Sequence, residues 1–595
     1  MRRFQYFFKK YLNALLIWRL KHINDRQYII ILAVIVGLFS GLVAVLIKNS
    51  VHMVQWALTF FFIPQYQNIL FLLYPMIGIG LVYLLIKFVI KKEPKPEIPD
   101  VLYAIHRKKG KLPHANTWIT ILASSITVGF GGSAGLEGPS ATAGSSIGSS
   151  IAQILRLNKK QTILMVSCAG AAAISSLFKA PITGVVFALE IFMLDLTMSS
   201  ILPLLVSTTV GTITSYLFFG NDVLYDFKII MKPSWSEIPF FLILGILTGI
   251  FSIYFIKIKH FAHRFFKKFD KYWKKWLFGG LSLGIMMFFM PSLFGEGYTT
   301  VNSSLHGDYS FLFLNSPFYS YKDSIYAILI MFFGLIVLKS FATFFTFEAG
   351  GVGGIFAPIL FLGSSIGFFV AILLNLLGFY VVPSNFAMVA MAGMLSGVMF
   401  APLTGIFLIA EITNGYDLII PLMIVSSASY GIVRLTFKYS IYNQQLAEKG
   451  ILFGHNKGKN VLASMKIEDF IEKNFMTVTP QMTLRELTKV ISKSSRNIYP
   501  VVDDNNNFLG LVFLDHIKHL IFNEKYYDTI KVSDLSYMPN GIINLNDPMS
   551  EVIKIFHHTG NYNLPVLNNN KYLGFISRAN IFSAFQQELD YLSEE

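Results

Sequence analysis

The sequence predicts an all-α, polytopic membrane domain built as an inverted repeat, followed by a C-terminal α/β pair of smaller repeats. Three observations carry this. Hydrophobic residues make up 54% of the 595-residue chain, and its mean hydropathy is +0.55, well above a soluble domain. The stretch GGSAGLEGPSATAGSSIG (131–148) is echoed by GGVGGIFAPILFLGSSIG (350–367), and APITGVVFALE from Ala180 is echoed by APLTGIFLIAE from Ala401. Gly/Pro-interrupted apolar segments at matching places in two halves point to a transporter with its site at the repeat interface. Past Arg434 hydropathy falls, and NIYPVVDDNNNFLGLVF (497–513) is matched by NYNLPVLNNNKYLGFIS (561–577).

The first 27 residues carry recurring charges and no small-residue cleavage site, so they read as a basic amphipathic helix on the inner membrane surface and not as a signal. Apolar runs at 28–47, 69–90, 199–219, 239–258 and 324–345 each reach the roughly 20 helical residues that a bilayer core requires. Between them, the Gly-rich stretches at 117–195 and 350–436 read as broken or re-entrant helices. The basic clusters at 106–111 and 259–275 belong on the cytoplasmic side with both termini. The net charge of +15 is therefore mostly topology, and no folded basic module suggests a nucleic-acid partner. Cys168, the single cysteine, sits among small residues and reads as a helix-packing position.

In the C-terminal part each matched segment reads as strand, Asn/Asp turn and strand, with a helical stretch before and after. Two such units of about 60 residues are marginal alone and should pack together. The expected domains are the N-terminal helix (1–27), the membrane domain (28–450, halves about 28–220 and 235–440), a linker (451–465) and repeats at 466–525 and 526–595.

The chemistry points to an anion. Gly-rich turns that lead into helices present backbone N–H groups at the positive end of the helix dipole. Four places qualify: the turn before Glu137, the segment at Ile98–Pro99, the turn at Gly353–Phe356, and the Tyr442 region. Acid rings expected of a cation path are absent. Glu137 falls in register with Phe356, so one half bears a carboxylate where the other bears a ring. An intramembrane carboxylate marks an ion or proton path. Burial and a neighbouring anion both favour its protonated form, so a charged Glu137 would occupy the anion's place and a protonated one would swing out. Capping of the following helix is the plainer alternative. Gly135 and Gly138 leave the backbone free to approach a ligand. Glu190 and Glu411 share a repeat position and read as a structural pair; Asp195 and Glu348 are the other intramembrane acids noted.

GSAGLEGP, FKAPITGVVFALE, GGIFAPILFLG and SIYNQQL followed by KG resemble the CLC family of chloride channels and chloride/proton exchangers, and the C-terminal repeats resemble a CBS-domain pair. The resemblance covers roughly 28–590. It implies a homodimer in the plasma membrane, each subunit with its own pore for chloride or a similar anion. It places Glu137 on the gating glutamate, Ile355 and Phe356 where backbone amides bind the central anion, and Tyr442 on the tyrosine whose hydroxyl contacts it. The family's GSGIP-type segment is here Lys95-Pro96-Glu97-Ile98-Pro99. Pro96 replaces an anion-contacting serine, as in nitrate-preferring plant members, or else marks an unusual loop that still offers amides; both readings stay open. Ile191 stands where many exchangers carry an inner, proton-relaying glutamate, which favours a voltage-gated, channel-like protein over proton-coupled exchange. Leu136 replaces the common basic residue before the gate. CBS pairs of this family often bind adenine nucleotides (ATP, ADP or AMP), and the candidate contacts are Asp515 and Asn580.

A CBS-bearing divalent-cation transporter would need clustered membrane acids, and a non-conducting nucleotide sensor would need none of the amide, Glu and Tyr constellation. No metal cluster, nucleophile–base pair or P-loop lysine motif suggests an enzyme.

Overall fold

The computed structural model describes residues 11–61 (except 12 and 15), 67–90, 97–194, 197–220, 233–413, 415–448, 458, 461–462 and 465–593. The chain divides into two compact units, Met1–Gln445 and Leu446–Glu595.

The first unit is helical. Its helices are α1 (Asp25–Phe61), α2 (Gln67–Leu84), α3 (Ile98–Arg107), α4 (Ala115–Gly129), α5 (Glu137–Ile154), α6 (Lys159–Phe178), α7 (Pro181–Glu190) and α8 (Met198–Phe219). They are followed by α9 (Ile238–Lys267), α10 (Tyr272–Phe289), α11 (Tyr298–Leu305), α12 (Ile325–Glu348), α13 (Phe356–Leu376), α14 (Pro383–Met399), α15 (Pro402–Ile412), α16 (Ile419–Thr436) and α17 (Ile441–Glu448). Among the described residues, eight helices are long and apolar enough to cross a membrane.

The repeat is visible in the packing. α1 lies against α6 and α8, and α9 lies against α14 and α16 in the same way. α5 packs on α6 as α13 packs on α14. The corners match too. α6 ends at Lys179 and α14 at Phe400, both left-handed, with φ of +55° and +59°. Each is followed by a non-helical Ala and a Pro that opens the next helix, a position where the missing N–H costs nothing.

Three stretches read from the sequence as broken pieces are instead continuous helices of spanning length: Lys159–Phe178, Phe356–Leu376 and the helix beginning at Ile419. The glycines serve close packing. A Cβ at Gly144 or Gly148 would lie 2.6 Å from the Ala169 carbonyl oxygen or 2.3 Å from that of Met165. At the equivalent Gly363 and Gly367 it would lie 2.5 and 2.4 Å from the Cα atoms of Met391 and Ala387. Small residues four apart let helix backbones touch in a membrane. Cys168 is buried on α6, as its small neighbours suggested.

The second unit follows the expected order. Helix α18 (Leu484–Lys493) precedes the antiparallel pair β1 (Ile498–Val502) and β2 (Phe508–Phe513), with α19 (Leu514–Ile521) and α20 (Val532–Leu535) after it. A short strand β3 (Ile543–Asn544), helix α21 (Met549–Thr559), the antiparallel pair β4 (Asn563–Asn568) and β5 (Lys571–Ser577), and helix α22 (Arg578–Ser593) form the second copy. Both hairpins bulge at matching places, Val501/Val502 and Val566/Leu567. Phe475, Phe508 and Leu511 share one core with Leu567, Tyr572 and Phe575, so the two copies bury one another's apolar faces. Segments are also exchanged: Glu472 pairs with Phe575 and Tyr537 pairs with Leu511.

Candidate functional site

The site forms where the two repeats exchange backbone hydrogen bonds. The Gly135 N–H donates to the Gly354 carbonyl at 2.8 Å, and the Gly354 N–H returns the bond at 2.7 Å. Threonines brace the same turns reciprocally. The Ser133 N–H donates to Thr346 Oγ1 at 3.1 Å and the Val352 N–H to Thr127 Oγ1 at 3.0 Å. Each threonine hydroxyl already donates to the carbonyl four residues back, at 2.8 Å, which aims its lone pairs at the incoming N–H. The result sets the N-termini of α5 and α13 beside each other, and their dipoles favour negative charge there.

Glu137, the first residue of α5, is only 2% exposed. Its carboxylate accepts the Ala357 N–H, in the first turn of α13, at 3.3 Å. It also accepts the hydroxyl of Tyr298. Gly135 packs closely on α13: a Cβ there would lie 2.9 Å from the Ala357 Cβ and 3.0 Å from the Ala357 nitrogen. The carboxylate thus lies on the other repeat's helix end, where an anion would be solvated by amides.

Ile355 and Phe356 are buried at the start of α13, and the Phe356 ring leans on Phe178 with centroids 5.3 Å apart. Tyr442 is buried in the first turn of α17, within the field of both Glu137 and Glu97. That helix is tied to α9: Lys259 Nζ donates to the Ile441 carbonyl at 3.0 Å, and His260 Nε2 meets Gln444 Oε1 at 3.2 Å. Ile98 is buried at the first position of α3. Pro96 and Asp195 lie outside the described residues. All four turns singled out in the sequence do lead into helices, starting at Ile98, Glu137, Phe356 and Ile441.

Ile191 is buried immediately past α7. Its neighbour Glu190 is engaged: it accepts the N–H groups of Leu403 and Thr404 at 2.9 and 2.7 Å and the Thr404 hydroxyl at 2.7 Å. Glu411 does the same to Ile182 and Thr183. The two acids occupy the same repeat position and make the same contacts, each on the helix start of the other repeat. Glu348 meets His263 Nδ1 at 3.1 Å.

Three residues escaped the sequence reading: Tyr298, Glu296 and Lys339. Their signal was present as an acid between two glycines in Phe294-Gly295-Glu296-Gly297-Tyr298, and as a lone lysine inside an apolar helix. Lys339 is wholly buried and donates to the carbonyls of Gly295 and Leu293 at 3.0 and 3.3 Å.

In the second unit, Asp515 is ion-paired with Lys518, which holds its carboxyl below the usual range. Asn580 Nδ2 donates to Glu472 Oε1 at 2.5 Å, and Arg496 donates to Glu472 Oε2 at 2.8 Å.

Comparison with known proteins identifies the architecture. Residues 78–434 match the family model described as voltage gated chloride channel, and residues 467–523 and 532–587 match the CBS domain. The H(+)/Cl(-) exchange transporter ClcA of Vibrio cholerae is 28% identical over 438 residues, covering 70% of this chain and 89% of that protein. The fold resembles that of a slow cyanobacterial Cl-/H+ antiporter, with a TM-score of 0.61, 23% identity, and coverage of 72% of this chain and 98% of that one. It also resembles a eukaryotic CLC transporter, with a TM-score of 0.59, 15% identity, and coverage of 93% and 97%. The chain therefore belongs to the CLC family, as a multi-pass membrane protein of anion transport, not an enzyme, carrying two C-terminal CBS domains.

Proposed function

We propose that this protein exchanges a chloride-like anion for protons, with Glu137 as the protonatable gate. One observation carries the reading: the Glu137 carboxylate sits on the Ala357 N–H at the α13 N-terminus, closed in by the Tyr298 hydroxyl. Charged, it fills the anion's place. Protonated, it loses its attraction for the helix dipole and leaves that place to an anion held by the amides of Ile355 and Phe356 and the hydroxyl of Tyr442. Gly135 and Ile98 contribute backbone to the same path. The relatedness to ClcA, whose name describes H(+)/Cl(-) exchange, supports the coupling.

A second reading, a channel-like protein, is favoured by Ile191: an aliphatic side chain cannot relay a proton, and the neighbouring Glu190 is engaged across the repeat interface. In either case the proposed setting is a plasma-membrane homodimer with both termini cytoplasmic. We assign the CBS pair a docking role that stabilises the dimer, with an adenine nucleotide as the alternative ligand.

The test is paired chloride and proton flux from chloride-loaded liposomes with no initial pH gradient. Under exchange, chloride efflux drives proton uptake that vanishes in Glu137→Gln. Under the channel reading, chloride leaves only when an ionophore dissipates the voltage, and no protons move. Anion flux in Glu137→Gln that still tracks pH would remove the gate role.

A further inference from the structure

Lys339 is a buried cation that the gate chemistry leaves unused. It stands within α12 with its side chain fully enclosed, and an enclosed ammonium is costly unless its N–H groups are satisfied. Among the described residues its hydrogen-bond acceptors are two carbonyls and no carboxylate: Nζ donates to Gly295 at 3.0 Å and to Leu293 at 3.3 Å. It also stands 4.6 Å from the centre of the Phe361 ring on α13. An apolar residue could fill such a place at lower cost, so what the lysine contributes is its grip on those two carbonyls.

The carbonyls belong to the turn that leads into α11 and ends on Tyr298, whose hydroxyl donates to Glu137. That turn is seated against the gate's own turn. The Gly295 N–H donates to the Gly131 carbonyl at 3.1 Å, and a Cβ at Gly131 would lie 2.2 Å from the Phe294 ring. Gly297 has φ of +85°, and a Cβ there would lie 2.4 Å from Phe361, the ring that also faces Lys339. α12 holds the Glu137 turn as well. Thr346, seven residues past Lys339 and so on the same face, accepts the Ser133 N–H at 3.1 Å. One helix thus grips the Tyr298 turn with one side chain and the Glu137 turn with another, which fixes the hydroxyl against the carboxylate.

We propose that Lys339 is a positioning residue of the gate: by holding the carbonyls of Leu293 and Gly295, it keeps the Tyr298 hydroxyl on Glu137 and so sets the pH at which the gate opens. The proposal rests on Glu137 acting as the gate. A hydroxyl that donates to a carboxylate favours its charged form. A Tyr298 turn that slips away from α12 therefore eases protonation, and the gate opens at higher pH. The other ionisable groups in this neighbourhood are Glu296 in the same turn, Lys48 on α1, Glu97 before α3 and Tyr442 on α17. The charge of Lys339 acts on Glu296, so the experiment has to separate that field from positioning.

The experiment follows anion flux against outer pH in liposomes holding the full-length protein, with two variants at 339, each alone and combined with Tyr298→Phe. Lys339→Met keeps the shape and removes both the donor and the charge. Lys339→Arg keeps the charge but adds volume to an enclosed site, which displaces the turn; it carries the test alone if Lys339→Met does not fold. Each should move the flux midpoint to higher pH, by up to about one unit, a tenfold change in proton concentration. Neither should move it further once Tyr298 is Phe. A field effect alone would shift the midpoint in Lys339→Met and not in Lys339→Arg, and the shift would persist beside Tyr298→Phe; that result overturns the proposal. So does a loss of thermal stability in both variants with the midpoint in place, which is the mark of a purely structural lysine. Glu137→Gln distinguishes the two readings. If it abolishes pH dependence while the variants at 339 leave the midpoint unmoved, the gate stands and the positioning role falls. If pH dependence survives in Glu137→Gln, the gate reading fails and takes this proposal with it.

Discussion

The carboxylate of Glu190 accepts both the N–H and the side-chain hydroxyl of Thr404, each at 2.7 Å, and so caps the first turn of α15 from the opposite repeat. Glu411 repeats the contact on Thr183 and α7. Two helix N-termini at the repeat interface thus exchange their acids, each satisfying amide groups that the other helix leaves open.

Loss of either cap should cost stability. Hydrogen bonds to a charged acceptor contribute about 1–3 kcal/mol, and Glu190→Ala and Glu411→Ala each remove a matched set. Thermal unfolding of the detergent-solubilised protein should show a similar drop for both variants. An unmoved transition in either would mean that the cap contributes nothing there.

Tyr298 stabilises the seated, charged form of Glu137, because its hydroxyl donates to that carboxylate. A donor to the charged form opposes protonation. Tyr298→Phe should therefore ease protonation, and the anion-flux midpoint should move to higher pH by roughly one unit.

The candidate ribose contact in the CBS pair is already engaged, since the Asn580 amide donates to Glu472, which also holds Arg496. AMP, ADP and ATP should each leave the thermal transition of the full-length protein in place. Glu472→Ala frees Asn580 and Arg496, and a nucleotide-dependent rise confined to that variant would identify Glu472 as the group excluding the ligand. A rise in the wild-type protein would show that the Asn580 contact yields to nucleotide.

Much of this was legible because the repeats are written twice. The register of Glu137 with Phe356 and of Glu190 with Glu411 could be read directly, and each pair occupies equivalent helix ends in the structure. Hairpin signals at 497–513 and 561–577 were equally direct, since Asn/Asp turns between β-branched runs have few other solutions. The Gly-rich stretches were read correctly where short helices break off, as at Pro181–Glu190 and Pro402–Ile412, and wrongly at the three helices of spanning length. Glycine signals either a break or a close approach, and only the facing helix decides which. At Gly144, Gly148, Gly363 and Gly367 it was close approach.

By itself the sequence determined five of the eight spans among the described residues, the duplicated halves, the four helix-opening turns and the place of Glu137. These follow from local composition and periodicity, which need no partner to be read. The tertiary structure alone decided what surrounds that carboxylate. The Ala357 N–H and the Tyr298 hydroxyl come from the other half of the chain. No local pattern encodes a contact whose two sides are set by separate helices, so the groups that close in Glu137 became visible only once the repeats were packed together.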